Sequence, residues 1–411
     1  MAKVSSDKVI VSIDIGTTKI SVLVAHCIDE HTREIIGIGK AASDGLRKGV
    51  VYDIARTIKS ITAAVKEAEL MAGITIESAY IGISGGHIQS CNSNGIVPIK
   101  GGQVQQRDIA NVLAAAQAIV IPEGHKLLHV LPQYYIIDKD QEIRDPLGMH
   151  GIRLEVQAHI ILGSISSVQN LVNCCEAAGV RVTDIILEQL ASGNAVLSSD
   201  ERELGVAMLD IGGGTSDLAM YQGGSIRHTM VLPVAGNHFT NDLALGLRIA
   251  LDDAEKIKQQ YGSVSQESID YSQEIQVKMA NGQDFKILNQ DDLVHILRPR
   301  AHEILSLIYK EIRDKKLGSL MRSGLVITGG GSLLDGMSDL AQEIFNVPVR
   351  IGKVHSQYSV PETLKHPMYA TGYGLLIYAL EQQKKRTNSY THGPVSARIF
   401  MRMKSWVADF F

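Results

Sequence analysis

The sequence predicts an α/β protein built from two similar lobes facing each other across a cleft, with a small α+β unit set into the first lobe. Three observations carry this. The string IDIGTTKI at residues 13–20 has a relative in LDIGGGTSDL at 209–218, about half the chain later. Each string sits at the first turn of a three-strand run rich in valine and isoleucine, so each opens one half of the molecule. Between the halves, residues 85–162 change texture, with one helical and two strand-like runs.

Taken in order, residues 9–15, 20–28 and 35–41 read as three consecutive strands, and 53–71 as a helix stopped by Gly73. Residues 78–84 form a further strand, which makes an α/β layer with a mixed sheet. The inserted unit carries a helix at 107–120 and strands at 126–138 and 152–162. A helix at 168–178 and a strand at 183–187 close the first half. The pattern restarts with strands at 206–211, 216–221 and 226–232. Helical segments over 237–261 follow, then a polar hairpin over 271–288 and a long helix over 291–316. The strand 325–328 runs into GGGSLLDG, with a helix after it at 337–345. The last body helix, 369–383, is followed by a polar stretch containing TNSYTHGP.

Composition narrows the function. The chain has 411 residues, 45% of them hydrophobic, enough for more than one core. Its net charge of −4 offers no basic field for nucleic acid. The four cysteines form no C-x-x-C pair, and Cys174 and Cys175 are expected to be small apolar residues on a helix in a reducing cytoplasm. The N-terminus lacks the apolar core of a signal peptide, and no apolar run approaches the roughly 18 residues of a spanning helix.

The repeated turn has a chemical reading. A strand ending in Asp-Ile-Gly-small-hydroxyl, with another strand after it, makes a tight hairpin whose bare N–H groups form a nest for phosphate oxygens. Thr17, Thr18 and Thr215 add hydroxyl donors, and Lys19 adds a positive charge. Asp14 and Asp210 put one carboxylate at each strand end, where together they could hold Mg²⁺ through its waters. Two hairpins clasping one polyphosphate explain the duplication. A third cluster, Gly329, Gly330, Gly331 and Ser332, lies between a strand and a helix, where an open backbone suits a sugar or phosphate edge. Neither a GxxxxGK(S/T) loop nor a GxGxxG after either strand is present.

DIGTTK, DIGGGTSD and VITGGGSLLDG, in this order, resemble the two phosphate motifs and the adenosine motif of the actin, heat-shock chaperone and sugar-kinase superfamily. EQLASGNAVL at 188–197 and MYATGYGLLIYAL at 368–380 look like its two connecting helices. The inserted unit, the wording VLPQYYIID and ISGGHIQS, the stretch around the second phosphate motif and the tail narrow the resemblance to the FtsA family of bacterial cell-division proteins. That resemblance implies a duplicated actin-like (ribonuclease H-like) fold. Residues 1–84, 163–198 and 347–383 would form the first lobe, 85–162 its insert, 199–236 and 312–346 the second lobe, and 237–311 a subdomain upon it. A linker at 384–394 and an amphipathic membrane-targeting helix at 395–411 would follow.

The resemblance also implies ATP with Mg²⁺ as cofactor, held at the phosphates by Gly16, Thr17, Thr18, Lys19, Gly212, Gly213, Gly214 and Thr215. Gly236 and Asn237 would form the second lobe's nucleotide-contacting turn, and Glu255 and Lys258, neighbours on one helical face, would flank the adenosine. Asp14, Asp210 and Glu188 are the candidate catalytic carboxylates, Glu188 standing where heat-shock relatives keep a water-orienting one. At most weak ATPase activity is expected. The implied partners are the C-terminal peptide of tubulin-like FtsZ, further copies in an actin-like filament, the inner face of the cytoplasmic membrane at the septum, and later division proteins. Arg300 and Glu303, in RPRAHEIL at what reads as the start of a long helix, are the candidate peptide contacts.

The tail argues independently. Of six phenylalanines and one tryptophan, Phe400, Phe410, Phe411 and Trp406 all fall at the end of the chain. At about 100° per residue, Val395, Ile399, Phe400, Met403, Trp406, Val407, Phe410 and Phe411 share an arc of roughly 160°. Arg402 and Lys404 lie outside that arc, beside an anionic leaflet, which is the pattern of an interfacial helix. The competing readings are an actin-like pilus-assembly scaffold and a sugar kinase or exopolyphosphatase of the same fold. A chaperone would need a long peptide-binding domain after the last helix, and only about thirty residues remain.

Overall fold

A computed structural model describes residues 9–27, 33–139, 141–267, 269, 274–280, 283–355 and 360–390. Two five-stranded sheets dominate it, and they share one topology. In the first, the antiparallel meander Val9–Ile15, Lys19–Cys27, Arg33–Ala42 is extended beyond Val9–Ile15 by the parallel strands Ser78–Ile83 and Arg181–Leu187. In the second, Val206–Ile211, Ser216–Gln222 and Ser225–Leu232 form the meander, and Leu325–Thr328 and Val349–Ile351 are the parallel additions. The central strands are buried on both faces, which is why their sequences run apolar without alternation.

The helix Ile54–Ala72 shows how sequence fixes an element. Asp53 caps its start by accepting from the Arg56 N–H, and Gly73 ends it in the left-handed region. Its stripe Ile61, Ala64, Val65 and Ala68 packs on the first sheet. Cys174 and Cys175 are both buried on the helix Ile165–Ala177, as their apolar neighbours predict.

Three expectations are corrected. The insert has three strands, not two. Gln89–Pro98 pairs with the central strand Arg153–Ser164, whose other neighbour is His125–Ile137, while the helix Gln106–Ala116 packs against two of them. QSCNSNGIVP is polar and largely exposed, so neither β-propensity nor alternation marks it. The long helix runs Gln290–Asp314, so Arg298 does not begin it and Pro299 lies inside. Leu293, Leu297, Ile304, Leu305, Ile308 and Ile312 are buried along it. At about 1.5–3 kcal/mol each they outweigh the roughly 3 kcal/mol of an interior proline. The last helix, Ala370–Tyr390, continues through residues expected to be loop. Residues 391–411, and with them the whole proposed membrane helix, lie outside the described residues.

Candidate functional site

Both repeated turns close identically. The Gly16 N–H donates to the Lys19 carbonyl (3.0 Å) and the Gly212 N–H to that of Thr215 (2.9 Å). The turns approach each other across the lobes. Thr18 Oγ1 donates to Asn237 Oδ1 (3.1 Å), and the Asn237 N–H donates to the Gly213 carbonyl (2.8 Å). A Cβ on Gly213 would fall 1.8 Å from Thr18 Oγ1, so this approach requires a bare backbone. Between the turns lies a cavity of about 440 Å³. Gly16 to Lys19, Gly212 to Thr215, Gly236 and Asn237 line one part of it. Glu255, Lys258 and Gly329 to Gly331 line another. Gly329 adopts φ 81°, and a side chain there would also meet an Asp210 oxygen at 2.2 Å.

Ser332 is the exception among the expected residues. It is buried, and its hydroxyl donates to the Gly329 carbonyl of its own turn (2.7 Å) instead of reaching the cavity. The glycine cluster leads into the 3₁₀ turn Gly330–Leu333, and the α-helix starts only at Met337, so no α-helix N-terminus faces the cavity there.

Carboxylates dominate the floor. Asp14 and Asp210 are each 7% exposed, and Glu188 opens the helix Glu188–Val196 beside them. Asp210 Oδ2 accepts from Ser192 Oγ (2.5 Å) and Thr371 Oγ1 (3.1 Å), one hydroxyl from each of the two helices that cross beneath the cleft. Burial pushes Asp14 up to about 6; the Lys19 ammonium opposes this and Asp210 adds to it. Burial also raises Asp210, against the Ser192 and Thr371 hydrogen bonds. Glu188 is pushed well above the usual range by burial and by Asp14, Asp217 and Asp210. Lys19 is the cation nearest this group. Its ammonium donates to the Met368 carbonyl (2.6 Å) and sits 4.2 Å above the Tyr369 ring, at the wall instead of between the turns.

Glu255 and Lys258 form a half-buried pair (2.6 Å), and Lys258 also donates to the Gly236 carbonyl (3.2 Å) and Thr240 Oγ1 (2.9 Å). That ties their helix, Leu251–Tyr261, to the start of Gly236–Leu247.

One important residue was not among those expected. Asp217 is 4% exposed and lines the cavity. It accepts from Ser84 Oγ (2.6 Å), Gln189 Nε2 (2.8 Å) and Thr215 Oγ1 (2.9 Å), yet burial still pushes it up to about 7. The signal was present in LDIGGGTSDL, since Thr215 and Asp217 are two apart and share one strand face.

Four raised carboxylates thus share this floor, with Lys19 at its wall, beside the two glycine turns. Such a floor lacks positive charge, and a cation bound together with an anion would supply it. Among the described residues no three His, Cys, Asp or Glu side chains converge as direct metal ligands, and no helix is long and apolar enough to cross a membrane.

Arg300 and Glu303 lie on Gln290–Asp314, away from the cavity lining. Arg300 grips both carboxylate oxygens of Asp242 (2.6 and 3.1 Å) and also pairs with Glu303. Arg298 pairs with Glu343 (3.0 Å).

A protein of Pseudomonas aeruginosa named cell division protein FtsA is 42% identical over 100% of both chains. The chain belongs to the FtsA family of cell division proteins. The family model described as cell division protein FtsA matches residues 207–374, and that of the SHS2 domain inserted in FtsA matches 85–162. FtsA of Neisseria meningitidis is 38% identical (97% of this chain, 98% of the relative), and that of Escherichia coli 35% (99% and 97%). Among solved structures, a type IV pilus biogenesis complex of PilM and PilN is similar at TM-score 0.66 and 16% identity, covering 90% of this chain and 98% of that one. MreB5 of Spiroplasma citri bound to ADP is similar at TM-score 0.57 and 17% identity (95% and 100%). The fold is the duplicated actin-like one that the sequence predicts, with two lobes and a small insert.

Proposed function

We propose that the chain is an ATP-binding, filament-forming adaptor of cell division that tethers FtsZ to the inner face of the cytoplasmic membrane at the septum and recruits later division proteins. One observation carries the nucleotide half of this reading: the two repeated turns and the third glycine cluster line a single cavity whose floor is rich in carboxylates. The fold is shared with MreB5, a protein seen with ADP and with AMPPNP. In this reading the N–H groups of the two turns bind the phosphates. Glu255 and Lys258 flank the adenosine. Asp14 and Asp210 hold the waters of Mg²⁺, which when bound neutralises phosphate charge. Lys19 holds Met368 and balances Asp14, and Asp217 orients the Thr215 hydroxyl. Glu188, raised by burial and then by its carboxylate neighbours, gives up its proton less readily than an ordinary glutamate, which fits weak hydrolysis at most.

The domain boundaries follow the same reading, with 85–162 as the insert and 237–311 as the subdomain carrying Arg300 and Glu303. An acidic FtsZ peptide reaching Arg300 displaces Asp242 or Glu303 from it. Residues 395–411 form the membrane helix, weak in one copy and multiplied by polymerisation. Electron microscopy on lipid monolayers tests the whole: membrane-bound filaments with Mg-ATP are expected, and a protein that stays unassembled with and without nucleotide refutes it. Removing residues 395–411 is expected to abolish co-sedimentation with anionic vesicles, and undiminished binding would reject the anchor.

The floor carboxylates also predict a pH dependence. Asp14 (about 6) and Asp217 (about 7) hold protons that a bound cation must displace, so Mg-ATP affinity falls as pH drops through that window. Each coupled proton weakens binding up to about tenfold per pH unit. The free protein carries an opposing effect, since burial pushes His129 down to about 4 and His159 to about 3. Those neutral histidines lose stability as pH falls below about 6.5. Neither lines the cavity, so they cancel when melting temperatures with and without Mg-ATP are subtracted. The difference is expected to grow between about pH 5.5 and 8, across both carboxylate values. A flat difference would mean the carboxylates do not face the cation.

A further inference from the structure

The insert is spliced into the first lobe, but its sheet is fastened to the second. Ser225–Leu232 is the edge strand of the second lobe's sheet, and an edge strand exposes backbone groups that need partners. Side chains of the insert supply them. Gln133 Nε2 donates to the carbonyls of Ile226 (3.0 Å) and Arg227 (3.1 Å), and Ser90 Oγ donates to that of Thr229 (3.0 Å). At the centre is His159, 1% exposed, with Gln133 at 5% and Thr229 at 4%.

Both nitrogens of that ring are hydrogen-bonded. His159 Nδ1–H donates to Asn92 Oδ1 (2.6 Å), and Thr229 Oγ1 donates to His159 Nε2 (2.9 Å). Burial, with His228 and Lys315 nearby, favours the neutral imidazole, and both of its nitrogens have partners. His228 stands edge-on to it at 6.4 Å and meets Glu311 of the helix Gln290–Asp314 (3.1 Å). At the rim, Arg227 covers the Tyr134 ring and pairs with Glu142 (3.4 Å), and Arg144 pairs with Glu203 (3.4 Å). These rim pairs are exposed on at least one side and contribute little. The buried polar centre is different, because pulling it apart leaves several groups without partners and without water.

We propose that the His159–Asn92–Gln133–Thr229 network is an interlobe latch, which holds the insert on the second lobe and must release for the cleft to open and exchange its ligand. The exchange clause rests on the nucleotide reading above; the latch itself does not. The lobes meet at the crossing helices and at the cleft, through Thr18–Asn237 and Ser84–Asp217, and rotation about the helices is the motion left to them. A further attachment through the insert restrains that rotation.

The test uses spin labels at Leu70→Cys and Lys286→Cys, exposed positions on the first and second lobes, with Cys27 and Cys91 changed to serine. Interlobe distances are compared between this chain and its Thr229→Val and Gln133→Leu variants, alongside release of a fluorescent ATP analogue. Each variant removes one donor while approximately keeping shape, and circular dichroism confirms folding. Longer, broader distances are expected, with release faster by about fivefold. Distances unchanged in both variants overturn the latch whether or not nucleotide binds. Wider distances with unchanged release keep the latch and overturn its control of exchange. A parent chain that binds no nucleotide refutes the ATP reading alone, and wider distances then still support the latch.

Discussion

Replacing Gly374 by alanine is expected to lower the stability of the protein by about 3 kcal/mol and its melting temperature by about 3–4 °C. The helices Glu188–Val196 and Ala370–Tyr390 cross at this point. A Cβ on Gly374 would lie 1.8 Å from the Ala191 carbonyl oxygen and 2.3 Å from its carbon. Both are backbone atoms inside a helix, so no side chain can swing aside and the helices must separate. The separation also reaches the cavity, because Ser192 on one helix and Thr371 on the other both donate to Asp210. Weaker Mg-ATP binding should therefore accompany the lower melting temperature. Gly318→Ala is the control: nothing lies within 4 Å of a Cβ there, and little change is expected. Equal melting curves for the two variants would mean that the crossing yields more easily than its geometry implies.

Asp210→Asn is expected to separate stability from binding. The carboxylate is buried and raised, so its ionised form is one that its surroundings disfavour. Asparagine still accepts from Ser192 and Thr371 through its carbonyl oxygen and removes that charge. The ligand-free variant should melt at or above the temperature of the parent. Mg-ATP affinity, measured by calorimetry, should fall by about 10- to 100-fold, the usual effect of removing a group that holds a metal's outer shell. Retained affinity would remove Asp210 from the cation site. A large fall in the melting temperature of the ligand-free variant would show instead that the carboxylate is a structural anchor. The two substitutions act through opposite physics, one forcing backbone apart and the other relieving a buried charge.

The repeated Asp-Ile-Gly turn, the two meanders, the capped helix at Ile54–Ala72 and the apolar pair Cys174 and Cys175 were legible in the chain, because each depends on residues close together in sequence. Local signals failed at Gln89–Pro98, which is a strand through its pairing with Arg153–Ser164 and not through its own propensity. The helix Gln290–Asp314 was legible as 291–316, with burial overriding Pro299, and only the placing of RPRAHEIL at its start was wrong. Local signals failed too at Ser332, whose hydroxyl turns back on its own loop. Folding alone brings Ser192 and Thr371 to one oxygen of Asp210, makes Asp217 the meeting point of Ser84, Gln189 and Thr215, and seats His159 against the second lobe. Periodicity and turn chemistry act over a few residues, so the sequence by itself determined the elements and the duplicated plan. Charge burial and contacts across hundreds of residues exist only once the chain is packed, so the tertiary structure decided which carboxylates share a floor and which lobe holds the insert.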